Sequence, residues 1–89
     1  MKKKIALPSV HLNGSGRIPL FEQHHKAYMA IQEAIVAMRE ATPHDRDYYV
    51  QGPDVGPQAR REHLARIEAL EGVLDDVGRI WQSLMPDDL

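Results

Sequence analysis

The sequence predicts an all-α protein built on an antiparallel hairpin of two long helices, and three observations carry that expectation. Apolar residues recur with a three–four alternation in two separate stretches, the period of a helix that packs along one stripe. Each stretch opens on a proline (Pro19, Pro57) and closes at another (Pro43, Pro86). Proline is tolerated in a first helical turn and pushes the residue before it out of the helical region. Between the stretches, 14 residues hold two glycines, two prolines and three aspartates, a composition that supports no continuous helix.

The 89 residues are read as one domain in four segments: an arm over 1–18, a first helix over 19–42, a loop over 43–56 and a second helix over 57–85. In the arm, Ile5, Leu7, Val10 and Leu12 surround Pro8 and lead into the turn cluster Asn13-Gly14-Ser15-Gly16. Those apolar residues are too many for a solvated tail, so the arm is expected to dock on the helices or on a neighbouring subunit.

The first helix is expected to place Pro19 at its first position and Glu22 in its first turn, where the helix dipole favours an acid. Its seam runs through Phe21, His24, Tyr28, Ile31, Ile35 and Met38, with Ala27, Ala34 and Ala41 alongside at seven-residue spacing. In the loop, Tyr48, Tyr49 and Val50 are expected to form an ordered cap over the open end of the helix pair. The second helix carries the clearest seam: His63, Ile67, Leu70, Leu74, Val77, Trp81 and Leu84. Leu64, Val73 and Ile80 widen its apolar stripe beyond what one partner helix needs. Glu62–Arg66 and Asp75–Arg79 are acid-before-base pairs four apart on its exposed face. Gly72 and Gly78 weaken it slightly and permit close approach.

A single helix pair can build only a thin core, and chains this small usually gain stability from a disulfide, a metal or an oligomer interface. Cysteine is absent, which removes disulfides, thiolate metal sites and thiol chemistry. A homodimer is therefore expected, two hairpins forming a four-helix bundle. Its interface would use Tyr28, Ile31 and Ile35 of the first helix with Ile67, Leu70, Leu74, Val77 and Trp81 of the second.

Charge excludes several classes of function. The formal net charge of -2 is nearly balanced and its carriers are interspersed. The one basic run, Lys2-Lys3-Lys4, is followed by an apolar stretch too short and too broken by Pro8 and His11 for a signal peptide. No segment approaches the length of a membrane span. The chain reads as cytoplasmic, and nucleic-acid coating is disfavoured for want of a basic stripe.

Few motifs carry chemistry. Glu22-x-x-His25 has the spacing at which helix bundles present metal ligands, with Asp75 or Asp76 as possible companions. His24 sits on the seam, however, which turns Glu22 and His25 outward, so no metal or cofactor is expected. His63 reads as an interior histidine facing Met38 or the loop. Asp45-x-Asp47 lacks the remaining ligands of a calcium loop. Asn13-Gly14-Ser15-Gly16 lacks the lysine and hydroxyl of a phosphate loop. No Ser/His/Asp arrangement can be assembled, so no enzyme is expected. Arg46, Asp47, Tyr48, Tyr49 and Gln51 bring partner-binding residue types into one loop.

Leu12-Asn13-Gly14-Ser15 leading into Leu20-Phe21-Glu22-Gln23, together with Arg46-Asp47-Tyr48-Tyr49-Val50-Gln51-Gly52, resembles a family of small helical bacterial proteins of phage-like and mobile regions. That resemblance spans nearly the whole chain, with the loop motif its distinctive part. The chain departs from the family pattern at Gly16, Pro19 and His44-Asp45. The resemblance implies no activity or cofactor, but it does imply a role beyond packing for Asp47, Tyr48, Tyr49 and Gln51.

The leading functional expectation is a non-enzymatic protein–protein assembly module. The alternatives are a metal- or ligand-binding bundle using Glu22, His25 and Asp76, and a nucleic-acid accessory protein using Lys2, Lys3 and Lys4 with Arg60, Arg61 and Arg66.

Overall fold

The computed structural model describes residues 4–85, which hold two α-helices and no strand: α1 (Arg17–Glu40) and α2 (Val55–Ser83). Lys2, Lys3, Pro86 and the Asp87-Asp88 pair lie outside the described residues. Two short 3-10 turns, Asp45–Asp47 and Tyr49–Gln51, lie in the middle of the connection.

Both helices begin and end two residues earlier than the sequence predicts. Pro19 and Pro57 are each the third helical residue rather than the first. The amide groups of the first turn have no partner within the helix, so proline there sacrifices no hydrogen bond. Glu22 consequently falls beyond the first turn, which holds no acid. At the far ends, hydroxyl side chains compete for the last carbonyls. Thr42 Oγ1 donates to Arg39 O at 2.6 Å, and Ser83 Oγ donates to Ile80 O at 2.6 Å.

Early residues of α1 meet late residues of α2. Arg17 Nη1 donates to Leu84 O at 3.2 Å, and the Phe21 and Trp81 rings lie 5.8 Å apart. Tyr28 packs on Gly78, where an added Cβ would stand 3.0 Å from Tyr28 Cε2. Gly78 therefore does permit the close approach expected of it. Further along, the imidazole Nε2 of buried His63 is hydrogen-bonded to Met38 O, and Arg39 reaches Glu71 at 3.0 Å. That last ion pair is about half exposed on both sides and contributes little to stability.

The core is thin. Ile35, Ile67 and Leu84 are its buried apolar residues, with His63 the buried polar one, among the described residues. The remaining seam residues, from Phe21 to Trp81, are half-buried. The shape is a rod of 61 × 25 × 24 Å with a radius of gyration of 18.5 Å, against about 12 Å for a compact chain of this length. Its accessible surface is 6931 Å². A compact monomer of 10.1 kDa exposes roughly 5,300 Å².

One side-chain expectation needs refining and two need correction. His25 is exposed, as expected of an edge histidine, but it is not idle there: its ring stacks 4.9 Å from Trp81 and 6.3 Å from Phe21. Its position one turn after Phe21 lays the face of the imidazole over the indole, 23° from parallel. Tyr49 and Val50 do not cap the helix ends, being 67% and 79% exposed. The tight 3-10 turn aims both outward, and Tyr48 alone of the three is half-buried. Ile35 and Ile67, expected at an oligomer interface, are already buried within one chain. Any interface between copies must use residues that the chain leaves open.

Candidate functional site

Two features of the surface are built rather than incidental: the connecting segment and a groove along the helices. The connecting segment is held at both ends by its own polar groups. The His44 Nδ1 accepts from Arg46 N at 3.2 Å and starts the first 3-10 turn. The Asp45 carboxylate pairs with Arg60 of α2, which ties that turn to the second helix. Buried Gly56 makes this possible, since a Cβ there would run into Asp45 Oδ1. Gly52 closes the second 3-10 turn with φ 133 and ψ 162, a conformation open essentially to glycine.

Gly52→Ala should therefore cost about 1–3 kcal/mol of stability through backbone strain alone, since nothing crowds the position. A lowered thermal midpoint with unchanged native helicity by circular dichroism is the expected result. An unchanged midpoint would show that the turn relaxes freely.

This scaffold presents the residues expected to bind a partner. Arg46, Asp47, Tyr49 and Gln51 are exposed, whereas Tyr48 is half-buried and anchors the turn. A cavity of about 210 Å³ opens beside them between Asp45, Tyr49, Gly52, Pro53, Gly56 and Pro57. An exposed tyrosine on ordered backbone loses little entropy on binding, which suits an interface anchor.

The second feature is an open groove of about 710 Å³ along α1. Its floor is apolar, with Met29 and Val36 from one side and Leu74 from the other, and Glu33, Glu40 and Glu71 stand on its rim. Met29 is 47% and Val36 57% exposed. On the other flank of α2, Val73 is 48% exposed, and Ala27 and Ala34 of α1 are exposed beside the seam rather than in it. The helix pair thus leaves apolar side chains open on two flanks.

Met29 and Val36 were missed by reasoning from the main seam. Ile18, Glu22, His25, Met29, Gln32 and Val36 repeat the three–four alternation one position away from it, Glu22 being a charged interruption. The polar His25 and Gln32 interrupt that second stripe and hide it.

The expected outsider groups are dispersed. Glu22 is exposed, while His25 is committed to the aromatic cluster with Phe21, Tyr28 and Trp81. Among the described residues, no three His, Cys, Asp or Glu side chains are placed to hold one metal ion. Arg60 is engaged by Asp45, and Arg61 and Arg66 are exposed. Glu62 accepts from Gln58 at 3.0 Å rather than pairing with Arg66. No described helix is long and apolar enough to cross a membrane. The Trp81 Nε1 is a buried donor without a partner, the one such side-chain atom among the described residues.

The fold and surface define a two-helix all-α protein with solvent-open apolar flanks. Neither family models, nor curated proteins, nor solved structures give a match to this chain.

Proposed function

We propose that this chain is an antiparallel helical hairpin that works by association: two copies form a coiled-coil-like four-helix bundle that displays its loops to a protein partner. The observation that carries the proposal is the apolar surface left open along the groove beside the helix pair, at Met29 and Val36. The surface exceeds that of a compact monomer by about 1,600 Å², part of it on the open arm at Leu7, Val10 and Leu12 and part along the helices. Tyr28, Ile31, Leu70, Leu74, Val77 and Trp81 are half-buried within the chain, so each can add its remaining area to an interface between two copies.

The role is non-enzymatic and cytoplasmic in this reading, and partner contact is assigned to Arg46, Asp47, Tyr49 and Gln51 with Tyr48 as their anchor. The resemblance to small proteins of phage-like and mobile regions is compatible with an assembly role and belongs to the same proposal. Light scattering on the purified chain tests it. Twice the 10.1 kDa chain mass at micromolar concentration is expected. A folded monomer at every concentration would remove the proposal.

A further inference from the structure

Resting on that reading, we infer which face joins the two copies and in what register: the groove of Met29 and Val36 receives α2 of the second copy, with both loops at the same end. The contacts within one chain set the levels along the rod. Arg17 is opposite Leu84, Phe21 opposite Trp81 and Met38 opposite His63. In a two-fold bundle whose axis runs along the rod, α1 of one chain lies beside α2 of the other at these same levels. Every neighbouring pair of helices is then antiparallel, as in up-down bundles.

Two features of the sequence match at that register. Along the outer edge of the groove, Lys26, Glu33 and Glu40 follow one another at seven-residue spacing. Along the facing edge of α2, Asp75, Glu68 and Arg61 do the same. The register sets Lys26 level with Asp75, Glu33 with Glu68 and Glu40 with Arg61 of the second copy. Both end levels are oppositely charged, and the central one is like-charged. Asp75 already has a partner inside its own chain, so Glu40 with Arg61 is the deciding level. Lys26, Glu33, Glu40, Arg61 and Glu68 are all exposed.

The second match is steric. Met29 falls level with Gly72 of the second copy. Glycine in a helix interior is unfavourable relative to alanine, and nothing in the chain comes within 4 Å of the place its Cβ would occupy. The chain itself therefore gives no packing reason for Gly72, whereas an inserted methionine from a second copy supplies one. A long unbranched side chain entering the space above a glycine is knob-into-hole packing of the kind that fixes register.

The test uses Glu40→Arg and Arg61→Glu in separate full-length chains. Glu40→Arg puts the favoured sign at the C-terminal end of α1, so it does not weaken that helix. Alone, each variant sets like charges against each other twice per dimer and should associate roughly tenfold more weakly than the parent. Mixed, the two restore both opposite pairs across the interface and should form a heterodimer as tight as the parent, read by light scattering and by recovery of helicity. An ion pair inside one chain cannot produce that rescue. Glu33→Lys should by the same logic tighten the homodimer severalfold.

If the parent chain is dimeric but both variants alone associate as tightly as it does, or the mixture shows no preference, this face and register are wrong and the bundle uses the Ala27–Val73 flank. If the parent chain is itself monomeric, the association reading fails, and this inference with it.

Discussion

Replacing Trp81 with alanine is expected to cost about 3–5 kcal/mol, enough to unfold a chain with so small a core. The indole is the point where four aromatic residues converge. Its ring lies 5.8 Å from Phe21, 4.9 Å from His25 and 5.3 Å from Tyr28. Aromatic pairs contribute beyond the area they bury, so truncation removes both packing and these contacts. The space left behind lies between the first turns of α1 and the last turns of α2, lined by Phe21, His25 and Tyr28. Thermal melting by circular dichroism should show a collapse of cooperativity. Trp81→Phe keeps the ring and removes the unpartnered indole N–H, so it should retain most of the stability. A Trp81→Ala chain that melts within a few degrees of the parent would mean that the aromatic cluster does not hold the helices together.

The second large effect is expected at a residue that contributes little to the fold of one chain. Val36 is 57% exposed, so aspartate there stays hydrated in a monomer and costs little. In the bundle the same carboxylate would be buried in an apolar groove whose rim carries Glu33, Glu40 and Glu71 and one cation, Arg39, already paired with Glu71. Burial of an unpaired charge is costly by several kcal/mol, so Val36→Asp should abolish association in the micromolar range. Val73→Asp, on the opposite flank, is the control and should leave the dimer intact. The comparison is made by light scattering over a concentration series. Equal losses from both substitutions would argue that both flanks are covered, in an assembly larger than a dimer.

Much of this architecture is legible in the residues themselves. The seam from His63 to Leu84 is strict in its period, and every member is at least half-buried. Gly78 was readable as a point of close approach, and Tyr28 occupies it. His63 facing Met38 was readable too, because both stand on the seam near the same end of the pair. The helix boundaries were not. Proline marks only the first turn, and every position within that turn lacks an amide partner, so Pro19 and Pro57 fix each start no better than to within a few residues.

The loop was misjudged for a different reason. Tyr49 and Val50 are apolar enough to suggest burial, but a 3-10 turn of three residues has no inner face wide enough for Tyr48, Tyr49 and Val50 together. The expected interface set mixed two stripes, because a sequence pattern does not distinguish a seam inside one chain from an apolar stripe left on its surface. Ile35 and Ile67 are buried inside the chain, whereas Met29 and Val36 stay open.

The central question is whether a second copy covers the open groove of Met29 and Val36. Light scattering coupled to size-exclusion chromatography measures this directly, as mass independent of the elongated shape. The expected result is a single species of twice 10.1 kDa that dissociates only together with loss of helicity on dilution or heating. A well-folded species of one chain mass, stable across the concentration range, would contradict it.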